Sequence, residues 1–188
     1  MNTLDTAARP DQPSAFNPAS ADDPDRTRWI AHLDEAVAEI FETMLGQRSS
    51  VVDAPPPGAH TSAKISAHIC AHICATIVFS GALNGLCIVQ ASPATADRLT
   101  DALLGAEGDW DDEMIDDALG EMCNMIAGGW KSRLGTPASA CNLSVPAVSR
   151  DHAREDPRCG INAVRRFYAF DGSVLEVMLA LSLTAPGV

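Results

Sequence analysis

The chain has 188 residues, is 46% hydrophobic but only 5% aromatic, and carries a formal net charge of −12. That length supports one domain with an aliphatic core and a tail. The charge argues against nucleic acid or an anionic membrane as the main partner, since both require a basic footprint. No window approaches ~18 uninterrupted apolar residues, so no membrane span is expected. The opening MNTLDTAARPDQPS lacks the apolar region of a secretory signal. Six cysteines form no CxxC pair, and most lie inside apolar runs. That usage fits a reduced, cytoplasmic protein in which Cys serves as a small hydrophobe.

Residues 1–24 are polar and rich in Pro, Ser, Asp and Ala, and are expected to form a disordered tail. The remainder, 25–188, is expected to be the domain. A helix is predicted from about Asp25, where Trp29, Leu33, Val37, Ile40, Phe41 and Met44 recur at helical spacing, with Gly46 ending it. VVDAPPPGAHTS, with three consecutive prolines, reads as a connection. Ala63 to Phe79 is strand-like, SGALNG is a turn, and Leu86 to Gln90 returns, which makes a hairpin. Ser92-Pro93 then opens a second helix as N-cap and first residue, and Gly105 closes it.

The third helix, from Asp111 to about Leu134, has two unlike faces. Ile115, Leu119, Met122 and Ile126 fall on one side, at spacings of 4, 3 and 4, and form a core stripe. Asp117, Glu121, Asn124 and Gly128 fall on the opposite side with the same spacing. Acidic residues crowd the first turn and Lys131 and Arg133 the last, as the helix dipole favours. Gly135 and Pro137 stop it. Three strand candidates follow. Ser139 to Val148, interrupted by Pro146, suggests an edge strand. Ala163 to Phe170 and Val174 to Leu183 flank Asp171-Gly172, a hairpin turn signal. The order predicts an α+β protein with a mostly antiparallel sheet of about five or six strands and helices packed on it.

His68, Cys70, His72 and Cys74 resemble a zinc ligand set at first sight. On a strand, however, alternate residues stand about 6.6–6.8 Å apart, so the outermost pair is separated by about 20 Å. One ion could take only an adjacent pair without help from another strand or subunit, and no metal site is expected. No cysteine is marked as a nucleophile by a helix N-terminus or a basic neighbour. GALNG lacks the Lys and following helix of a phosphate loop. His152 and the arginines near it read as a solvated loop.

The polar stripe of the third helix is of the kind that usually faces solvent. Its glycines are unusual, because Gly costs about 1 kcal/mol relative to Ala inside a helix. Gly120, Gly128 and Gly129 therefore suggest that close approach matters on this face. The segment LGEMCNMIAGGWKSRL resembles the active-site helix of the CheC/CheX/FliY chemotaxis phosphatases, and the CheX branch most closely. The family pattern is Asp or Ser, three residues, Glu, two residues, Asn, and a Pro a little over twenty residues on. Asp117, Glu121, Asn124 and Pro146 match it, with 21 residues between Asn124 and Pro146. SGALNGLCIV and the following helix ending in LLG resemble the family's preceding hairpin and helix. Gly129 stands where many relatives have Asn, and the bulky Trp130 follows it.

The resemblance implies a phosphatase acting on the phospho-aspartate of a CheY-like response regulator. Glu121 would pair with the invariant Lys of the receiver domain, and Asn124 would orient the attacking water. Asp117, Gly120, Ala127, Gly128 and Lys131 would line the docking surface. The Mg²⁺ would belong to the receiver, so the chain needs no cofactor of its own. The first helix lacks a second Glu/Asn pair, which implies one site per chain, and CheX-type proteins are homodimers. The alternative is a non-catalytic signalling module of the same fold that binds a receiver or another chemotaxis protein.

Overall fold

The computed structural model describes residues 24–53, 72–135, 140–150 and 163–182. In chain order the elements are α1 (Pro24–Met44), β1 (Ser50–Val52), β2 (Ile73–Gly81), β3 (Asn84–Ala91) and α2 (Pro93–Leu104), followed by α3 (Asp112–Ser132), β4 (Cys141–Leu143), β5 (Ala147–Ser149), β6 (Ala163–Phe170) and β7 (Ser173–Ser182). The strands form one sheet in the order β1-β6-β7-β3-β2-β4, with β5 also on β2, and every pairing is antiparallel. This is the α+β architecture that the order of predicted elements implies.

One face of the sheet makes the core. Alternate residues point to one side of a strand, and here Ile73, Ala75, Ile77 and Phe79 of β2 are buried together with Cys87, Val89 and Ala91 of β3. Leu175, Val177 and Leu179 of β7 and Val164, Tyr168 and Phe170 of β6 continue the same cluster. Helix α3 lies across β2 and β3, α2 over β7 and β3, and α1 against α3.

The local signals behave as their chemistry dictates. The Ser92 hydroxyl accepts from the Thr95 amide at 3.2 Å, and Gly105 closes α2 in the left-handed region, at φ 66°. The β6–β7 turn needs positive φ at both central residues, which Asp171 (41°) and Gly172 (72°) supply. Arg98 of α2 holds that turn by donating to the Asp171 carboxylate at 2.9 Å. Asp34 of α1 accepts from Arg166 at 2.6 and 3.1 Å and from the Tyr168 hydroxyl at 2.8 Å, which ties α1 to β6.

Among the described residues the sheet has seven strands rather than five or six, for two reasons. Ser50–Val52 begins in what the sequence presents as a connection, yet it pairs with β6, Val51 opposite Tyr168. The predicted strand from Ser139 to Val148 is two short strands on the edge of β2. Leu143 pairs with Phe79 and Ala147 with Thr76. Between those pairs β2 has Ile77 and Val78, whereas the other side has Ser144, Val145 and Pro146, one residue more. That surplus is a β-bulge. The strand predicted from Ala63 is described only from Ile73 onward; Ala63 to Ala71 lie outside the described residues, as do Pro137 and His152.

Candidate functional site

Helix α3 is set in place by its own sequence. Asp111 caps it, its carboxylate accepting from the Met114 amide at 2.9 Å, and Asp112 and Glu113 follow in the first turn. Ile115, Leu119, Met122 and Ile126 are all buried against the sheet. The Cys123 thiol, between the two family residues in sequence, donates inward to the carbonyls of Ala75 at 3.4 Å and Cys87 at 3.7 Å. Trp130 is fully buried. Its ring packs edge-on to Trp29 and Phe79, with centroids 6.2 and 5.4 Å apart, and its indole N–H donates to the Trp29 carbonyl at 3.0 Å. Trp130 thus belongs to the core and does not crowd the opposite face. Gly129 faces α1: a Cβ there would stand 3.4 Å from the Cβ of Ala36.

With the buried side fixed at so many points, the polar stripe can turn only one way. Asp117 and Glu121 are exposed, and Asn124, Gly128 and Lys131 are half-buried. Among the described residues, no hydrogen bond or ion pair engages the side chains of Asp117, Glu121, Asn124 or Lys131. A carboxylate and an amide therefore stand one helical turn apart, unpartnered, in the middle of a rigid helix.

A second row on α3 explains how the neighbouring strand is held. Asp112, Asp116, Gly120, Asn124 and Gly128 follow one another at intervals of four and form one ridge. Arg150, just after β5, clasps its beginning. It donates to the Asp116 carboxylate at 2.8 Å and the Asp112 carbonyl at 2.9 Å, and it also pairs with the Asp112 carboxylate. Next along the ridge sits Pro146: a Cβ on Gly120 would meet the Pro146 Cβ at 3.4 Å and the Val148 Cγ2 at 3.5 Å. Asn124 and Gly128 follow beyond that contact, and a Cβ on Gly128 would meet nothing within 4 Å.

These positions correct part of the expectation about small residues. Ala127 has no exposed surface and lies in the core, so it cannot line a docking surface. Gly120 does permit close approach, but the approaching group is the chain's own Pro146. Gly128 alone of the three leaves open space at the surface. Arg150, in what the sequence presents as a solvated loop, is the organising residue that sequence reasoning missed. The pair Asp112 and Asp116 on one ridge was the available signal that a cation would come to it.

The other candidates do not assemble. His68 and Cys70 lie outside the described residues. His72 and Cys74 sit at the start of β2, and among the described residues no three His, Cys, Asp or Glu side chains converge as a metal-binding group. Burial pushes the Cys74 thiol up to about 11, with the Glu176 carboxylate adding to the effect. Cys87 is also raised, by its hydrogen bond with Cys123 and by burial. Both are thiols rather than thiolates near neutral pH, the opposite of an activated nucleophile. A surface cleft of about 630 Å³ between α2 and the β6–β7 turn shares no residue with the stripe, and its Arg98 and Asp101 are engaged by Asp171 and Trp110.

Comparison with known proteins gives a consistent result. The family described as chemotaxis phosphatase CheX matches residues 73–157, which include α3 and Pro146. No curated protein matches the chain by sequence. Among solved structures, the chain resembles chemotaxis protein CheX from Vibrio vulnificus, with TM-score 0.60, 15% identity, and coverage of 84% of this chain and 98% of that one. It also resembles a protein in the CheX-CheY-BeF3-Mg complex from Borrelia burgdorferi, with TM-score 0.56, 21% identity, and coverage of 81% and 97%. The FliM-SpeE complex from H. pylori contains a more distant likeness, with TM-score 0.55, 8% identity, and coverage of 82% and 84%. At such identities the structural matches establish the fold.

Proposed function

Because the chain belongs to the CheC/CheX/FliY family and is most like CheX within it, we propose that it hydrolyses the phospho-aspartate of a CheY-like response regulator. The observation that carries this reading is the unpartnered pair Glu121 and Asn124 on a helix whose other side is buried. An acyl phosphate is already activated, so hydrolysis requires a placed water and an in-line approach more than a strong base. Asn124 suits that requirement, because its amide both donates and accepts and cannot take the proton. Glu121 supplies the charge for the receiver's Lys, which fixes the two proteins in register so that the amide reaches the phosphoryl group. Asp117, Gly128 and Lys131 complete the docking surface. The Mg²⁺ is the receiver's.

No described helix is long and apolar enough to cross a membrane, and a protein that acts on a receiver works in the cytoplasm. Among the described residues the sheet ends at β1 and at the β4–β5 edge, and edge pairing is the natural route to a homodimer.

The test is the decay of a phosphorylated receiver with and without this protein. Acceleration by the wild type, largely lost in Glu121→Ala, supports the reading. Because the Glu121 partner would be left unpaired at an interface, the receiver concentration needed should rise by a factor of about 30 or more. The same fold also allows a second reading, a receiver-binding module without turnover. In that case the receiver binds but its phosphoryl lifetime is unchanged.

A further inference from the structure

The sheet alone holds β5 weakly. Among the described residues β5 pairs only with β2, Ala147–Ser149 lying opposite Cys74–Thr76, and Pro146 before it has no N–H to donate. Its place along α3 is set by two contacts at its ends. Arg150 donates to the Asp116 carboxylate and the Asp112 carbonyl, and it pairs with the Asp112 carboxylate. Pro146 sits on Gly120, where an added Cβ would stand 3.4 Å from the Pro146 Cβ. The two spans match. Extended chain from Pro146 to Arg150 covers about 13 Å, and α3 from Gly120 back to Asp112 covers about 12 Å. Arg150 thus fixes how far along the helix Pro146 lies.

Helix geometry connects that place to Asn124. Side chains on a helix point back toward its N-terminus, because the Cα–Cβ bond tilts that way and χ1 near +60° clashes with the preceding turn. Asn124 follows Gly120 by one turn, so its amide is directed back toward the Gly120 turn. Gly120 has no Cβ there, and the Pro146 ring occupies the turn from the β5 side. Asn124 is half-buried, and among the described residues no hydrogen bond engages its amide. Packing, rather than bonding, confines it.

We propose that Arg150 is a positioning residue for Asn124: by fixing Pro146 on Gly120 it restricts the rotamers of the amide that orients the attacking water. This rests on the reading of Asn124 given above. Arg150 acts through Pro146 and not on the receiver, so its loss lowers turnover and spares receiver binding. Misplacing a reacting group by about 1 Å can cost about 100-fold in rate, and a loosened stop should cost about tenfold.

The experiment measures steady-state dephosphorylation of a phosphorylated receiver by wild type, Arg150→Gln, Pro146→Ala and the double variant, well below the unfolding temperature, where circular dichroism shows each to be folded. In Arg150→Gln, kcat should fall about tenfold while KM stays within about twofold. Pro146→Ala should show a similar fall, and the double variant should lose little more, because the two residues act as one unit. An unchanged kcat in Arg150→Gln, beside an active wild type, overturns the proposal, since a contact that only adds stability does not alter the turnover of folded protein. So do multiplied losses in the double variant. If the wild type shows no turnover, the phosphatase reading fails separately, and the NMR signal of the Asn124 side-chain amide, assigned by its loss in Asn124→Ala, decides Arg150. A shift of that signal in Arg150→Gln supports the positioning role, and an unmoved signal overturns it.

Discussion

Trp130 and Gly128 stand two residues apart on α3 and have opposite environments. Trp130 fills the junction of α1, α3 and β2. Truncation to Ala would leave a cavity, so Trp130→Ala should cost about 3–5 kcal/mol, measured by urea unfolding. Gly128 faces open space. Gly128→Ala should therefore stabilise the protein by about 1 kcal/mol through helix propensity. If the stripe docks a receiver, the same methyl should weaken receiver binding, so stability and affinity move in opposite directions. A gain in stability with unchanged affinity would remove Gly128 from the docking surface. The sequence could not separate these roles for Gly120, Ala127 and Gly128, because smallness alone does not say which neighbour comes close. Only the fold shows that Pro146 takes the place beside Gly120 and that Ala127 faces the core.

At the scale of elements, the helices were legible, and so was the edge position of Ser139 to Val148; β1 and the division of that edge into two strands were not. α2 and α3 announce themselves through period, cap and stop, all of which are local in sequence. The β6–β7 hairpin does the same through Asp171-Gly172. β1 is three residues long and exists because β6 offers an unpaired edge, a partner far away in the chain. The β4–β5 bulge depends likewise on register against β2. Pro146 was legible as a family residue, but Arg150, which holds β5 to α3, was not. Arg150→Ala should release that end of β5. The ion pairs are partly exposed, at 34% for Arg150 and 81% for Asp112, so the loss should be about 1 kcal/mol and should shrink in high salt. A variant as stable as wild type at low salt would mean the clasp is not a stabilising contact.

Across the whole molecule, one sheet face carries three helices, and α3, the most enclosed of them, carries the unpartnered pair. Under the proposed function, the fixed seat of that helix would let two side chains serve a docking reaction without a pocket. The thiol of Cys74 on β2 gives the fold a pH dependence. Its folded value is pushed up to about 11 from the usual 9.0. The unfolded chain therefore releases this proton more readily, so the contribution is complete below about pH 9 and is lost as pH rises toward 11. Cys74→Ala should flatten the fall in stability over that window, measured as the urea midpoint at pH 8 and pH 10.5. An identical fall in the variant would assign it to other groups.

Under the proposed function Asn124 places the water that attacks the receiver's acyl phosphate. That role is tested most directly by Asn124→Ala, with two readouts on one preparation: the decay rate of the phosphorylated receiver, and affinity for the beryllofluoride-loaded receiver. Loss of a positioned hydrogen-bonding group typically costs about 10²–10³ in rate. Asn124→Ala should lose activity by that order at saturating protein, with affinity and melting temperature preserved. Turnover equal to wild type in that variant would contradict it.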